Sequence, residues 1–568
     1  RQKGVIQVSS VCMVGTARVT VEYTWGTDMD EAFLDLQKAM TTYSQMSSIE
    51  EFTITQHDPN ASPIMTIGLL HPNIKDMDEL RKVGATARTM LVQAAAHEWG
   101  VSQDALSTGS SMVMHAPTGR STHYKNLVSR ASLLAVPTEG TVVLKTPDQY
   151  QLLGKRVVNA SAEQIATGQP LFGIDAKTPG MVYASFVKCP AIGGVAKSAN
   201  LDEIKALPGI IDAFLIEGTP GPYNFDIRES YATQSGVAIV AKDTWSTFKA
   251  RASLDVDWDL SAASKDNTRD IEAQALQALA EGKVEEEIER VGNVDDAFAN
   301  AAITADATYS TDFVSHAQLE PQGVLVSAAN DKVEVWTSSQ TPVFITANLA
   351  KLLNVSPKKI TVHQVRGGGG FGRRLSNEYV FEAALISRKI GAPVKLQWTR
   401  EDDMAFDYFR APTYYRLQGA VAQDGQLTGW KNLLAAASAD GKKANYGASY
   451  RPFDFPGKVI KNVSVEQSFV PSQTPTGAWR APISNVYAFA EQSFIAELAH
   501  AAGQDHETFL LNAIGHQGHI QEDDPASLNT TRAHAVIKAA TRAAGWGREL
   551  KEGRGLGLAF FLSHAGHI

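Results

Sequence analysis

Residues 365–375 read VRGGGGFGRRL. Glycine loses more backbone freedom on folding than any other residue, so a run like this persists only where bare backbone must approach something closely. The flanking text restricts where it can sit. KVEVWT (332–337) reads as a strand ending at SSQTP; Pro342 stands where a helix starts, and FITANLAKLL supplies that helix. KKITVHQV is a second strand that runs straight into the glycines. SNEYVFEAALISRKIG then reads as a helix with Ser376 as its cap, Glu378 in its first turn and Gly391 at its end, and PVKLQW is a third strand. The order β-α-β-α-β predicts parallel strands joined by right-handed crossovers. Gln340 and the glycine loop then share the carboxyl edge of the sheet, where open α/β sheets bind ligands.

Backbone N–H groups leading into a helix carry partial positive charge, and Arg373 and Arg374 add two cations. The expected guest is anionic: a phosphate, a pyrophosphate or an oxo-anion. A plain strand-to-helix turn would need fewer glycines. Gly367, Gly369 and Gly372 also satisfy Gly-x-Gly-x-x-Gly between a strand and a helix, which keeps an NAD(P)- or flavin-dependent oxidoreductase as an alternative. Two features weigh against it. The acids Glu401, Asp402 and Asp403, which read as a solvated strand end, come about 30 residues after Gly372 rather than roughly 20, and RRLSN separates the glycines from the helix. No Lys-Ser or Lys-Thr follows, which excludes a P-loop.

The 568 residues, 44% hydrophobic and 20% charged, suit several domains with sizeable cores. The net charge of -9 argues against a nucleic-acid partner. No apolar run approaches the roughly 18 residues of a membrane span. Cys12 and Cys189 alone make neither a disulfide framework nor a cysteine metal cluster. The histidines of GHQGH (515–519) lack a helical i, i+4 pair or a cysteine partner, so no metal is expected on protein side chains. The chain starts at Arg1 without an initiator methionine and closes just after LGLAFFL, which reads as a strand entering a core; both ends are expected to be cut.

Elsewhere, RVTVEYTW alternates as a half-buried strand, GTDMDEAFLDLQKAM reads as a helix, and EFTIT and PIMTIGLL are strands. A helix over 78–99 carries Leu80, Val83, Ala87, Met90 and Leu91 on one face. MVYASFV, GIIDAFLI and GVAIVA predict a small α/β domain, and the acidic stretch 265–300 (VEEEIERVGNVDDAF) a helical connector.

VEVWTSSQTP…ITVHQVRGGGGFGRRL resembles the molybdenum-cofactor-binding subunit of the xanthine dehydrogenase and aldehyde oxidase family, most closely its isoquinoline 1-oxidoreductase β-subunit branch. SHAQLEPQGVLV, PVKLQWTREDDMAFDYFRAP and TGAWRAPISNVYAFAEQSFIAELAHAAGQD are similar to further segments of that subunit in the same order, and FGIDAKTPGMVYASFV to the start of its hammerhead domain. The resemblance covers about 84–568. It implies an α/β, multidomain α+β fold: an N-terminal part over 83–165, a hammerhead-like domain over 166–264, the connector 265–300 and an incomplete molybdopterin-binding domain over 301–568.

For the site, the resemblance implies backbone N–H groups of Gly370 and Phe371 beside a molybdenum oxo group, and Gln340 near the metal oxygens. Gly368, Gly369, Gly372 and Arg373 complete the first loop; Ala478, Trp479 and Arg480 belong to the second, Trp479 packing beneath the cofactor. His316 and Glu320 are substrate contacts or strand-entry residues, and Tyr408 and Phe409 line a substrate funnel or pack internally. The cofactor implied is molybdenum–molybdopterin, in its cytosine dinucleotide form, with iron–sulfur clusters on a small two-iron two-sulfur subunit and a cytochrome c as possible acceptor. The chemistry implied is oxidation of an aldehyde or N-heteroaromatic with water as oxygen source, in the periplasm or at a membrane. Leu375 stands where purine-type members carry a glutamate, which disfavours purines.

The family's base is a glutamate in a Gly-Glu pair, and no Gly-Glu occurs in these 568 residues, so the chain as given is expected not to turn over and no catalytic residue is named. Residues 1–82 depart from the family. RVTVEYTWGTDMDEAFLDLQKAM and HDPNASPIMTIGLL resemble the βαβ porter domain of a resistance-nodulation-division efflux transporter, with a join near DELRKVGATARTML. The chain therefore reads as a chimera, and a non-enzymatic porter or binding fragment is the remaining alternative.

Overall fold

The computed structural model describes residues 5–13, 16–23, 51–57, 64–70, 77–137, 141–150, 156–159, 161–219, 232–450, 459–516, 518–521, 527–563 and 566–568. Two compact units emerge: residues 1–169 with 357–361, and residues 170–356 with 362–568.

In the first unit four strands lie in the order Val5–Met13, Thr16–Tyr23, Ile64–Leu70, Glu51–His57. Thr16–Tyr23 and Glu51–His57 each pair antiparallel with Ile64–Leu70, so they run the same way with the third strand between them. That is the strand order of a split βαβ unit; the helix expected over 26–40 lies outside the described residues. Helix Met77–Trp99 follows. Its Met90, Leu91, Ala94 and Ala95 pack with Val113 and Leu127 into a small core, while the side chains of Leu80 and Val83 lie outside the described residues.

The second unit holds a seven-stranded sheet in the order Ile210–Ile216, Gly236–Ala241, Val182–Lys188, Val394–Gln397, Gly323–Ser327, Val333–Thr337, Ile360–Gln364. Val394–Gln397 is parallel to Val182–Lys188, but Gly323–Ser327 is antiparallel to both its neighbours. Val333–Thr337 and Val394–Gln397 therefore run the same way, as the β-α-β-α-β order expects, and Gly323–Ser327 between them makes the sheet mixed. The cause is connection length: residues 328–332 are too few for a crossover, so the chain must turn back as a hairpin. Helix Pro342–Leu353 begins at Pro342 as expected. Helix Glu378–Ile390 buries Tyr379, Val380, Phe381, Ala383, Ala384 and Ile386, so it is enclosed on most sides. Its flanking residue is Asn377, not Ser376, and Gly391 at φ 72° ends it by returning its N–H to Ser387 O.

A five-stranded sheet follows in the order Glu286–Val291, Asn462–Pro471, Leu427–Ser438, Thr413–Val421, Ile303–Thr311. The connector expected over 265–300 is corrected: helix Thr268–Glu281 buries Ile271, Ala275 and Leu279 against this sheet, and VEEEIERV forms its edge strand. Cross-strand polar pairs, Arg290 with Glu466 at 2.8 Å and Gln467 with Glu286, hold an edge whose charge reads as helical in sequence. The main core lies between this sheet and helix Ser484–Ala501, with Trp430 and Phe494 edge to face at 5.3 Å. Phe560 and Phe561 join that core; LGLAFFL enters it mostly as extended chain, with the Phe560 N–H donating to Gln492 Oε1 at 2.9 Å, and only its last residue lies in a short strand, Leu562–Ser563. Among the described residues no helix is long and apolar enough to cross a membrane.

Phe494→Ala removes a fully buried ring from this core. It should lower the unfolding stability of the unit by about 3–5 kcal/mol, read from the shift of its denaturant midpoint.

Candidate functional site

Three loops of the second unit meet at one place: 315–322, the glycine loop 366–375, and 476–483. Their closeness explains the glycines. A Cβ on Gly368 would lie 2.6 Å from Glu320 Cβ. Gly372 has φ +109°, and a Cβ there would lie 1.5 Å from the Ala478 carbonyl oxygen. Ala317, Phe371, Ala481 and Ile483, all in these loops, are non-glycine residues held at positive φ, a strain that persists only where the surroundings enforce it.

Charged side chains enforce it from below. Glu320 accepts from the N–H groups of Gly368 (2.6 Å) and Ile174 (2.8 Å) and pairs with Arg374 Nη2 at 3.2 Å. Arg374 donates to Gly369 O (2.7 Å), Gln322 Oε1 (2.7 Å) and Glu320 O (2.8 Å). Lys395 Nζ donates to Gly173 O, Ile174 O and Ala176 O at 2.6, 2.8 and 3.1 Å. Burial pushes this ammonium down to about 8, with Glu320 opposing. Arg373 is buried between Glu378 and Asp407, its Nε 2.9 Å from Asp407 Oδ1, with its guanidinium over the Trp398 and Tyr408 rings.

The two arginines therefore do not face a ligand, and the expectation that Arg373 contacts the cofactor is corrected. Buried guanidinium groups need acceptors, and the loop carbonyls and carboxylates supply them. The consequence is selective. The loop carbonyls of Gly369 and Gly370 are engaged by Arg374 Nε and Arg373 N–H, whereas the N–H groups of Gly369, Gly370 and Phe371 find no acceptor among the described residues. Three successive amides without acceptors, in a loop that alternates positive φ, form a nest for an anion.

Gln340 lies against the glycine loop: its N–H donates to Arg374 O at 2.8 Å, and its Oε1 lies 2.7 Å from where a Gly370 Cβ would be. Ala478 is buried, Arg480 is exposed, and the Trp479 ring lies beneath the Arg410 guanidinium at 5.8 Å. Trp479 Nε1 and Ser338 Oγ are buried without a hydrogen-bond partner among the described residues. His316 and Glu320 are both held by internal bonds. One oxygen of Glu320 accepts from Gly368 and the other from Ile174, and the His316 ring lies between Asp407 (2.9 Å) and Ala478 O (3.1 Å). Tyr408 and Phe409 take the packing role. Tyr408 lies under Arg373, and Phe409 exchanges backbone bonds with Pro475 and Gly477. Asp407 was missed; an acid among aromatics in AFDYF was the one signal for it. Nothing in the pattern marked Lys188 and Glu382, which meet at 3.1 Å inside the core.

The dinucleotide alternative does not fit. Asp402 is buried against Arg251 (2.5 and 2.6 Å) and Asp403 against Arg400 (2.8 Å), so these acids are neither a ribose site nor the solvated strand end expected. The tight turn Arg373–Leu375 also separates the glycines from helix Glu378–Ile390.

Comparisons with known proteins agree with this geometry. Residues 277–512 match the molybdopterin cofactor-binding domain. The chain is 28% identical over 510 residues to the membrane-bound aldehyde dehydrogenase [pyrroloquinoline-quinone] of Gluconacetobacter polyoxogenes, covering 85% of this chain and 64% of that protein. It is 26% identical over 550 residues to isoquinoline 1-oxidoreductase subunit beta of Brevundimonas diminuta, covering 86% and 66%. The chain thus spans about two-thirds of the length of these relatives. Among solved structures, the aldehyde oxidoreductase of Desulfovibrio desulfuricans superposes with a TM-score of 0.54 at 16% identity, over 69% of this chain and 47% of that one. Quinoline 2-oxidoreductase of Pseudomonas putida gives 0.52 at 16% identity, over 69% and 55%. Residues 277–512 thus match a molybdopterin cofactor-binding domain, and over most of its length the chain is similar to oxidoreductase subunits that act on aldehydes or N-heteroaromatics by name.

The residues present fit that cofactor. An anionic oxo group needs donors and no protein metal ligand, and the unpaired amides of Gly369, Gly370 and Phe371 supply them. Gly372→Ala should displace the second loop and abolish cofactor retention, measured as molybdenum per chain. Gly391→Ala meets no atom within 4 Å among the described residues, and its φ of +72° should cost about 1–2 kcal/mol of stability, with retention kept.

Proposed function

We propose that this chain is the cofactor-binding portion of a molybdenum hydroxylase that oxidises an aldehyde or an N-heteroaromatic compound. The observation that carries the reading is the set of acceptor-free amides at Gly369–Phe371, inside the matched domain and at the carboxyl edge of the sheet. When bound, the molybdenum–pterin group supplies the two-electron oxidation with water as oxygen source. The chain's own share is placement. Gly369, Gly370 and Phe371 donate to the anionic face of the group, and Gln340 stands beside Gly370. Ala478, Trp479 and Arg480 close the opposite side through the second loop. Fixed donors of this kind need no reorganisation during reaction, which is where their value lies.

The finer assignments belong to this reading too. Leu375 favours substrates other than purines, and the names of the relatives favour aldehydes or N-heteroaromatics. The cytosine dinucleotide form of the cofactor, a two-iron two-sulfur partner subunit, a cytochrome c acceptor and a periplasmic or membrane-associated setting follow from the resemblance. The split βαβ order of 1–82 is compatible with a transporter-like fragment joined to the oxidoreductase.

Heat-released cofactor tests the reading. Protein from molybdenum-replete cells should yield about one molybdenum and one fluorescent oxidised pterin per chain. Stoichiometric NAD(P), flavin or pyrroloquinoline quinone without molybdenum would overturn it. With an iron–sulfur partner present, oxygen-18 from labelled water should appear in the product.

A further inference from the structure

Beneath the glycine loop six ionisable side chains form one connected set, each less than a tenth exposed: Lys188, Glu382, Glu378, Arg373, Asp407 and His316. Lys188 Nζ lies 3.1 Å from Glu382 Oε1, and Trp398 Nε1 donates to the other oxygen at 2.9 Å. Glu378 sits one helical turn before Glu382 and pairs with Arg373, whose Nε lies 2.9 Å from Asp407 Oδ1. Asp407 accepts from Ser315 Oγ (2.7 Å) and from the His316 N–H (2.6 Å), and faces His316 Nδ1 at 2.9 Å. His316 Nε2 faces Ala478 O at 3.1 Å, and the space where a Gly372 Cβ would stand lies 3.3 Å from the same nitrogen.

The charges in this set do not cancel. With every carboxyl ionised, Glu378, Glu382 and Asp407 would bring three negative charges against two positive ones from Lys188 and Arg373. Neighbouring groups do not change the count: Asp402, Asp403 and Glu320 each have an arginine of their own, Arg251, Arg400 and Arg374, and the Lys395 ammonium faces Asp175 as well as Glu320. An uncompensated buried charge is strongly unfavourable, so the set must hold one further proton. Hydrogen bonding says where. Both ring nitrogens of His316 face oxygens that only accept, a carboxylate and a carbonyl, and both contacts are satisfied only when both nitrogens carry hydrogen.

We propose that the buried set holds one proton on His316, and that the resulting imidazolium is the clamp that fastens the second loop to the glycine loop through Ala478. His316 is then a positioning residue. A cavity of about 80 Å³ bordered by Lys188, Glu378, Glu382 and Asp407 gives water access to the chain of charges, and Glu378 Oε2 and Arg373 Nη1 have no hydrogen-bond partner among the described residues. Burial raises the carboxyls at both ends of the set, but the net shifts are opposite. At Asp407, burial raises the carboxyl, but the His316 bonds and the Arg373 charge outweigh it and hold it below its ordinary value. At Glu382, burial pushes the carboxyl up to about 7, with Lys188 opposing. Removing the Glu382 charge balances the set at two against two, and the imidazolium is no longer required.

The significance for cofactor binding rests on the function proposed above; the proton count does not, and its test does not use activity. The probe is the full chain labelled with nitrogen-15 histidine, observed by NMR at neutral pH. The signal lost in His316→Gln should show two protonated ring nitrogens, and Glu382→Gln should reduce that to one. If His316→Gln does not fold, the ring is assigned by its proton contacts to Ala478. A neutral His316 ring in the wild-type chain, or a ring unchanged by Glu382→Gln, overturns the proposal. Molybdenum content measured on the same samples reports separately on the cofactor reading.

Discussion

Gly372 and the Ala478 carbonyl approach so closely that no side chain fits between them. The two loops are distant in sequence, and their contact depends on bare backbone from one and a strained backbone from the other, with Phe371, Ala481 and Ile483 all at positive φ. The other features of the site serve this contact. Glu320 and Arg374 grip the first loop by its N–H and C=O groups, His316 grips the second at Ala478 O, and Asp407 joins His316 to Arg373 of the first loop. What remains without an acceptor is a short row of amides, and those are the groups an anionic cofactor needs.

The electrostatics follow from burial. In sequence, Arg373 and Arg374 look like anion receptors. In the fold they are enclosed, and an enclosed guanidinium binds the nearest carboxylates and carbonyls. The positive character of the loop is thereby transferred from side chains to backbone N–H dipoles. These are fixed in direction and do not compete with solvent for rotamers. The same logic places the Lys188–Glu382 pair beneath the loop, with the Trp398 indole donating to the carboxylate.

Much of the scaffold was legible in the sequence. The strands around 333–337, 360–364 and 394–397, the helix begun by Pro342 and the helix ended by Gly391 follow from periodicity and end signals. The position of Gln340 beside Gly370 followed from the sheet edge. Three kinds of feature were not legible. Gly323–Ser327 is buried on both faces, so its pattern gives no direction, and only the short turn after it makes the sheet mixed. Glu286–Val291 carries helix-like composition but is held as an edge strand by cross-strand pairs. Asp402, Asp403 and Asp407 look like surface acids because a sequence shows charge and not the arginine or histidine that buries it. In each case the deciding partner lies far along the chain.

The central claim is that backbone amides of the glycine loop receive an oxygen of the cofactor. A crystal structure of the molybdenum-loaded protein tests it most directly. The expected result is a cofactor oxygen within hydrogen-bond distance of the Gly370 and Phe371 nitrogens, with Arg373 still paired to Glu378 and Asp407. A cofactor seated elsewhere, or an Arg373 guanidinium swung out to hold it, would contradict the account.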